Sequence, residues 1–146
     1  MTPAWIGIDP GASGAVALVM PDSSARVWDI HPAGLQQVRD LLSIFSCLQI
    51  AVEEQQAFRG RDGRVQGVAS TFRLGREYGR ILGYAQALGL DFHTVRPAVW
   101  KARMGLIGRG KAGSMALARD LFPGVVIRRH DQAEALLIAE YGRRYL

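Results

Sequence analysis

Two apolar runs, Trp5 to Asp9 and Ala15 to Met20, are joined by Asp9-Pro10-Gly11-Ala12-Ser13-Gly14. Proline presets one backbone angle and glycine supplies those that other residues avoid, so this stretch is turn chemistry and the runs form a hairpin. That hairpin constrains the rest of the fold. A third run, Arg26 to Ile30, follows the turn Pro21-Asp22-Ser23-Ser24 and adds a third antiparallel strand. The period then changes. Leu35, Val38, Leu41, Leu42 and Phe45 are spaced for one face of a helix over 35–45, and Ile50 to Glu53 reads as a fourth strand. Thr71 to Leu88 is the longest helical stretch, and Phe92 to Val95 is a fifth strand. Pro97 suits a first helical turn and opens a short helix to Met104. A linker over 105–110, a helix from Lys111 to Phe122 and a last helix from Asp131 to Tyr145 complete the pattern. An antiparallel start followed by strand–helix units predicts an α/β fold: a five-stranded mixed sheet, antiparallel in its first three strands and then parallel, with helices on both faces. The 146 residues suit one domain, 1–146, and show no repeat.

Charge narrows the class of partner. Lys and Arg number 18 against 13 Asp and Glu, a net charge of +5. Sixteen of the 18 cations are arginine, Lys101 and Lys111 being the exceptions. The guanidinium fork matches phosphate, so the balance favours a polyanion, although an arginine-rich source composition gives the same count. No apolar run approaches the roughly 20 residues of a membrane helix, and the opening MTPAWIGID lacks the basic flank and apolar stretch of a signal peptide. The single cysteine, Cys47, excludes an internal disulfide and a cysteine-based zinc site and fits a reducing cytoplasm. Cys47 and Met104 read as core filler.

The acids fall at the ends of elements. Asp9 ends the first strand, Glu53 and Glu54 end the fourth, and Asp131 and Glu134 lie three apart on the first turn of the last helix, hence on one face. Strands one and four can be neighbours in a mixed sheet, which lets these ends converge. Carboxylates meeting there repel, and hard divalent cations relieve the repulsion. Two such ions can hold a phosphodiester and activate water. Each site also has a structural reading. Asp-Pro-Gly is common in turns, Glu53 and Glu54 fit a solvated strand end, and Asp131-Gln132-Ala133-Glu134 fits a helix capping box. His130, four residues before Glu134, is either a ligand or proton shuttle or a loop histidine.

These residues resemble a family. Ile6-Gly7-Ile8-Asp9-Pro10-Gly11 with Gly14-Ala15 looks like the first motif of RuvC-type Holliday-junction resolvases, and Ala51-Val52-Glu53 like the second. Leu74-Gly75 with Gly79 resembles the helix that follows, Val95-Arg96-Pro97 with Trp100-Lys101 a segment of the short, phage-like members, and Asp131 to Ala139 the terminal acidic motif. The matches run in family order over most of the chain. The resemblance implies an RNase H-like fold and a homodimeric, Mg²⁺- or Mn²⁺-dependent endonuclease that nicks four-way DNA junctions symmetrically. It implies Asp9, Glu53, Asp131 and Glu134 as metal ligands, with Glu54 the alternative to Glu53. Lys101 and Lys111 resemble the family's functional basic positions, and Phe58 stands nearest its junction-centre aromatic. The Asp/Glu pair at 131 and 134 differs from the Asp/Asp or His/Asp of many members.

The stretch from Gln55 to Ser70 alternates glycine and arginine and reads as a mobile basic loop. Arg59, Arg61 and Arg64, with Arg73 and Arg76 on the following helix, are candidate phosphate contacts. Phe58 is a candidate for stacking on an unpaired base or for burial under the loop. Gly75, Gly79 and Gly83 recur every four residues and predict close approach of another backbone, either a partner helix in a dimer or the chain's own sheet. Competing functions are an RNase H-like nuclease for RNA or other structured nucleic acid, and a non-catalytic junction-binding dimer. The Asp9–Gly14 turn also resembles the phosphate loop of actin-like ATPases, which need two such domains and more residues than these.

Overall fold

The structure, a computed structural model, describes residues 2–57 and 63–146. Five strands form one sheet in the order β3-β2-β1-β4-β5. They are β1 (Ala4–Asp9), β2 (Ala15–Val19), β3 (Ala25–Asp29), β4 (Leu48–Glu53) and β5 (Phe92–Val95). β1 pairs antiparallel with β2, and β2 with β3. β4 runs parallel to both β1 and β5. The expected mixed sheet is therefore present.

Among the described residues five α-helices cover it, α1 (Leu35–Leu42), α2 (Val68–Ala87), α3 (Pro97–Arg103), α4 (Gly110–Leu121) and α5 (His130–Tyr145), with a π-helical turn at Ile30–Gly34 leading into α1. Strand pleating sorts the side chains onto two cores. Ala4, Ile6, Ile8, Val16, Leu18, Ile50 and Val52 face one way, onto Val38, Leu41 and Ile81 of α1 and α2. Trp5, Ala15, Ala17, Val19 and Ala51 face the other way, onto α5. The central residues of this second face are small, and α5 lies close against it. A Cβ on Gly7 would stand 2.1 Å from the Ala135 carbonyl oxygen and 2.4 Å from the Ala139 nitrogen, so only glycine lets α5 cross β1 at this height. Farther along α5, Gly142 gives room to the Trp5 ring in the same way.

Several expected boundaries move. The first helix stops at Leu42 rather than Phe45, although Phe45 still packs against the core. α2 begins at Val68, three residues early, and α4 and α5 each begin one residue early. Cys47 is half-buried and belongs to neither core, so its reading as core filler does not hold; Met104 does pack against the α5 core. No helix among the described residues is long and apolar enough to cross a membrane.

Candidate active site

β1 and β4 run side by side with Ile8 opposite Val52, so Asp9 and Glu53 occupy the next rung. Both follow a residue of the α1–α2 face and therefore project toward α5. The Gly7 contact sets α5 so that its first turn overhangs the same strand ends. Asp9, Glu53 and Glu134 are consequently buried together, with one oxygen of each within 4.8 Å of the others. Their exposures are 6%, 6% and 8%, too low for water to screen the repulsion among them.

Each acid has a different surrounding. The indole Nε1–H of Trp100 donates to Glu53 at 3.0 Å, and Gln55 donates to its other oxygen at 3.1 Å. Glu134 accepts from the Ser114 hydroxyl at 3.2 Å and lies 2.9 Å from the Lys101 ammonium. Burial, then the negative charges of Glu53, Glu134 and Asp131, push the Asp9 pKa up to about 9, with Lys101 opposing. Burial also raises Glu53, while the Trp100 bond works against it. One ammonium does not balance three buried acids. An all-oxygen donor set with surplus negative charge suits a hard divalent cation, which would displace the Asp9 proton.

The other candidates fall around this triad. Asp131 is half-buried outside it, 3.4 Å from His130 and 3.5 Å from Arg129. Glu54 also stays out and accepts from Gln56, so of the two adjacent acids it is Glu53 that joins the triad. Lys101, Lys111, Ser114, His130 and Glu134 line a cavity of about 310 Å³ opening beside the triad. A larger cavity of about 380 Å³, between β2–β3 and the end of α1, contains none of the acids. The capping-box reading fails: Arg129 occupies the cap position of α5 and no side chain caps the helix. Arg64, Arg73 and Arg76 are exposed, with Arg76 3.5 Å from Glu77. Phe58, Arg59 and Arg61 lie outside the described residues. A Cβ on Gly75, Gly79 or Gly83 would meet nothing within 4 Å, which removes the reading that this stripe packs on the chain's own sheet.

No role is read from the sequence for Gln55 or Ser114, and Trp100 enters there only as part of the family-like segment with Lys101. Ser114, in mid-helix, carries no signal for one.

Thermus thermophilus RuvC superimposes with a TM-score of 0.61 at 22% identity, over 94% of this chain and 92% of that one. The chain has the RuvC fold. The same RuvC fold in complex with a Holliday junction substrate matches with a TM-score of 0.60 over 94% of this chain and 91% of that one, at 22% identity. The yeast mitochondrial Holliday junction resolvase Ydc2 matches with a TM-score of 0.59 at 17% identity, over 98% and 78%. In sequence, the chloroplastic Holliday junction resolvase MOC1 of Chlamydomonas reinhardtii is 36% identical over 86 residues. That covers 55% of this chain, which spans only 9% of the length of that curated relative. No protein-family model matches the chain.

Proposed function

We propose that this chain is a single-domain, divalent-cation-dependent endodeoxyribonuclease that resolves four-way DNA junctions, acting as a homodimer that makes paired symmetric nicks. The observation that carries this reading is the buried, mutually repelling triad Asp9–Glu53–Glu134, set in a RuvC fold beside a cavity lined by two lysines. The junction resolvases among its structural and sequence relatives support the substrate.

Asp9, Glu53 and Glu134 would hold Mg²⁺ or Mn²⁺, and Asp131 at the rim would join them for a second ion. A cation held there would supply charge to offset that building on the phosphate and would lower the pKa of a water. The protein's own groups do the rest. Trp100 and Gln55 hold Glu53 in one orientation, and Ser114 and Lys101 hold Glu134. Lys101, 5.2 Å from the Trp100 ring centroid, and Lys111 across the cavity set two ammonium groups where the phosphate of the cut strand would lie. His130, which lines the same cavity, would pass a proton to the leaving oxygen.

The open stripe of α2 supports the dimer. Val68 and Phe72, 88% and 73% exposed, continue the face of Gly75, Gly79 and Gly83 toward the start of the helix. A second copy packed there about a two-fold axis would present two identical sites to opposed strands. Arg64, Arg73 and Arg76, together with Phe58, Arg59 and Arg61, would then contact the junction between them.

The test uses a labelled mobile four-way junction and a linear duplex of the same sequence, with Mg²⁺ or Mn²⁺, resolved on a denaturing gel. Paired nicks in the junction alone, lost in Asp9→Asn while junction binding persists, are expected. Substantial turnover by Asp9→Asn would remove the triad from the chemistry. Tight junction binding with no cut in either metal would make the protein a structural junction-binding dimer, and cleavage of RNA in preference to the junction would redirect the substrate.

A further inference from the structure

The first turn of a helix leaves backbone N–H groups unpaired, and acids placed there ordinarily satisfy them. In α5 the acids at 131 and 134 are not used in this way. The helix start is held by a different set of groups. Arg129 Nη2 donates to Asp29 Oδ1 at 2.6 Å, and Nη1 donates to the Ser13 carbonyl at 2.9 Å. Gln132 donates to the same Asp29 oxygen at 2.9 Å, and its own carbonyl accepts the Arg128 N–H at 2.9 Å. Ser13 belongs to the turn that follows Asp9, and Asp29 ends the edge strand β3. Two segments remote in sequence, the turn at Ser13 and the end of β3, are thereby tied to one helix terminus.

The tie faces a definite load. Asp131 and Glu134 sit on this turn, and Asp9 and Glu53 lie beneath it, so whenever these acids are ionised together like charges push the turn away from the sheet. No cap resists that push. Gly7 sets the height at which the helix body crosses the sheet, through Ala135 and Ala139, and the first turn lies beyond those contacts. Arg129 also reaches Asp131, at 3.5 Å.

We propose that Asp29, Arg129 and Gln132 form a positioning clamp that holds the first turn of α5, and with it Asp131, over the triad, so that Asp29 governs divalent-cation affinity although it touches nothing in the site. The clamp rests on the reading of the triad as a cation site. It frees the acids for ligation by taking over the work that a capping box performs elsewhere. Residues that orient metal ligands from behind typically carry 10–100-fold in affinity, which sets the expected scale at about that range.

The experiment measures Mn²⁺ binding to the metal-free protein by calorimetry, melting temperature, junction affinity in EDTA, and kcat and KM separately. Asp29→Ala is expected to weaken Mn²⁺ binding by about 10–100-fold and to lower kcat, with KM and junction affinity unchanged. Arg129→Ala should match it, and the double variant should be no weaker than Arg129→Ala alone. Asp29→Asn, which keeps an acceptor for both partners, should recover much of the affinity. Unchanged Mn²⁺ affinity in Asp29→Ala, with or without a lower melting temperature, would overturn the clamp. Loss of junction affinity in Arg129→Ala with Mn²⁺ affinity intact would make Arg129 a DNA contact instead. Should Asp29→Ala fail to fold, Arg129→Lys carries the same test, because lysine keeps the charge but cannot span Ser13 and Asp29 together. A wild-type protein that binds no Mn²⁺ would instead sink the reading of the triad itself.

Discussion

α2 and α5 are the two longest helices, and they meet the same sheet in opposite ways. α5 is buried without interruption from Gln132 to Gly142, acids included. α2 has 20 residues, of which only Ile81 and Ala85 are buried. Both helices carry glycine where another structure comes close or has room to. In α5's case the close approach is visible, at Gly7 of β1 and at Gly142. In α2's case the glycines border open space. A helix locked on all sides can hold charges together against their repulsion. A helix with a bare face cannot, but it can receive another surface. The proposed chemistry and the proposed assembly thus fall on opposite faces of one sheet.

The largest expected effect breaks the locked side. Gly7→Ala puts a methyl group into the α5 backbone, so the helix must lift. The stability loss should reach or exceed the roughly 1–3 kcal/mol typical of overpacking, and Mn²⁺ binding should be lost with it, read by thermal melting and calorimetry. Next comes the charge that the lock contains. Asp9 has its pKa raised from 3.8 to about 9, so its contribution to stability is complete below about pH 4 and disappears as pH rises through 9. Glu53 shifts in the same direction, whereas Asp29 and Glu140 shift the other way and act on the acid side of this window. The metal-free protein should therefore melt at a lower temperature at pH 9 than at pH 6. Saturating Mg²⁺ should reduce or reverse that difference, and Asp9→Asn should flatten it and abolish the response to Mg²⁺.

A smaller change sharpens the same side. Trp100→Phe removes the N–H that donates to Glu53, a bond to a charged group worth about 1.5–3 kcal/mol. Glu53 then holds its proton more tightly, so nicking should fall more at pH 6 than at pH 8. The smallest effect is on the bare helix. Gly79→Ala meets nothing in the protomer and should stabilise it by about 1 kcal/mol in denaturant titration at low concentration. Sedimentation should at the same time show weaker self-association, since the added methyl groups hold the paired helices apart. Unchanged association would move the dimer contact off this stripe.

Much of this was legible in the sequence because it rests on local signals. The hairpin, the strand–helix alternation and the acids at element ends are written in residue types a few positions apart, and the sheet follows them. What escaped depends on contacts between distant segments. Gly7 read as part of a motif, but its reason is a helix some 130 residues later. The choice between Glu53 and Glu54 turns on which side of a pleat faces α5. Asp131-Gln132-Ala133-Glu134 satisfies the local rule for a capping box, and the rule fails because Asp29 and Ser13, remote in sequence, hold the helix start instead. Asp131 shares a helix face with Glu134 as its spacing demands, yet stands outside the triad beside Arg129 and His130. Trp100 supplies a hydrogen bond that no spacing rule announces.

The seating of α5 on Gly7 also gives the site a place in time. β1 and β4 are both complete by residue 53, and their pairing sets Asp9 and Glu53 side by side. Glu134 lies on α5, which follows every strand in sequence, so the triad is complete only once α5 sits on the sheet. Docking of that helix therefore both completes the core and closes the acid triad. On the proposed reading of the triad, cation binding would report that this helix has docked.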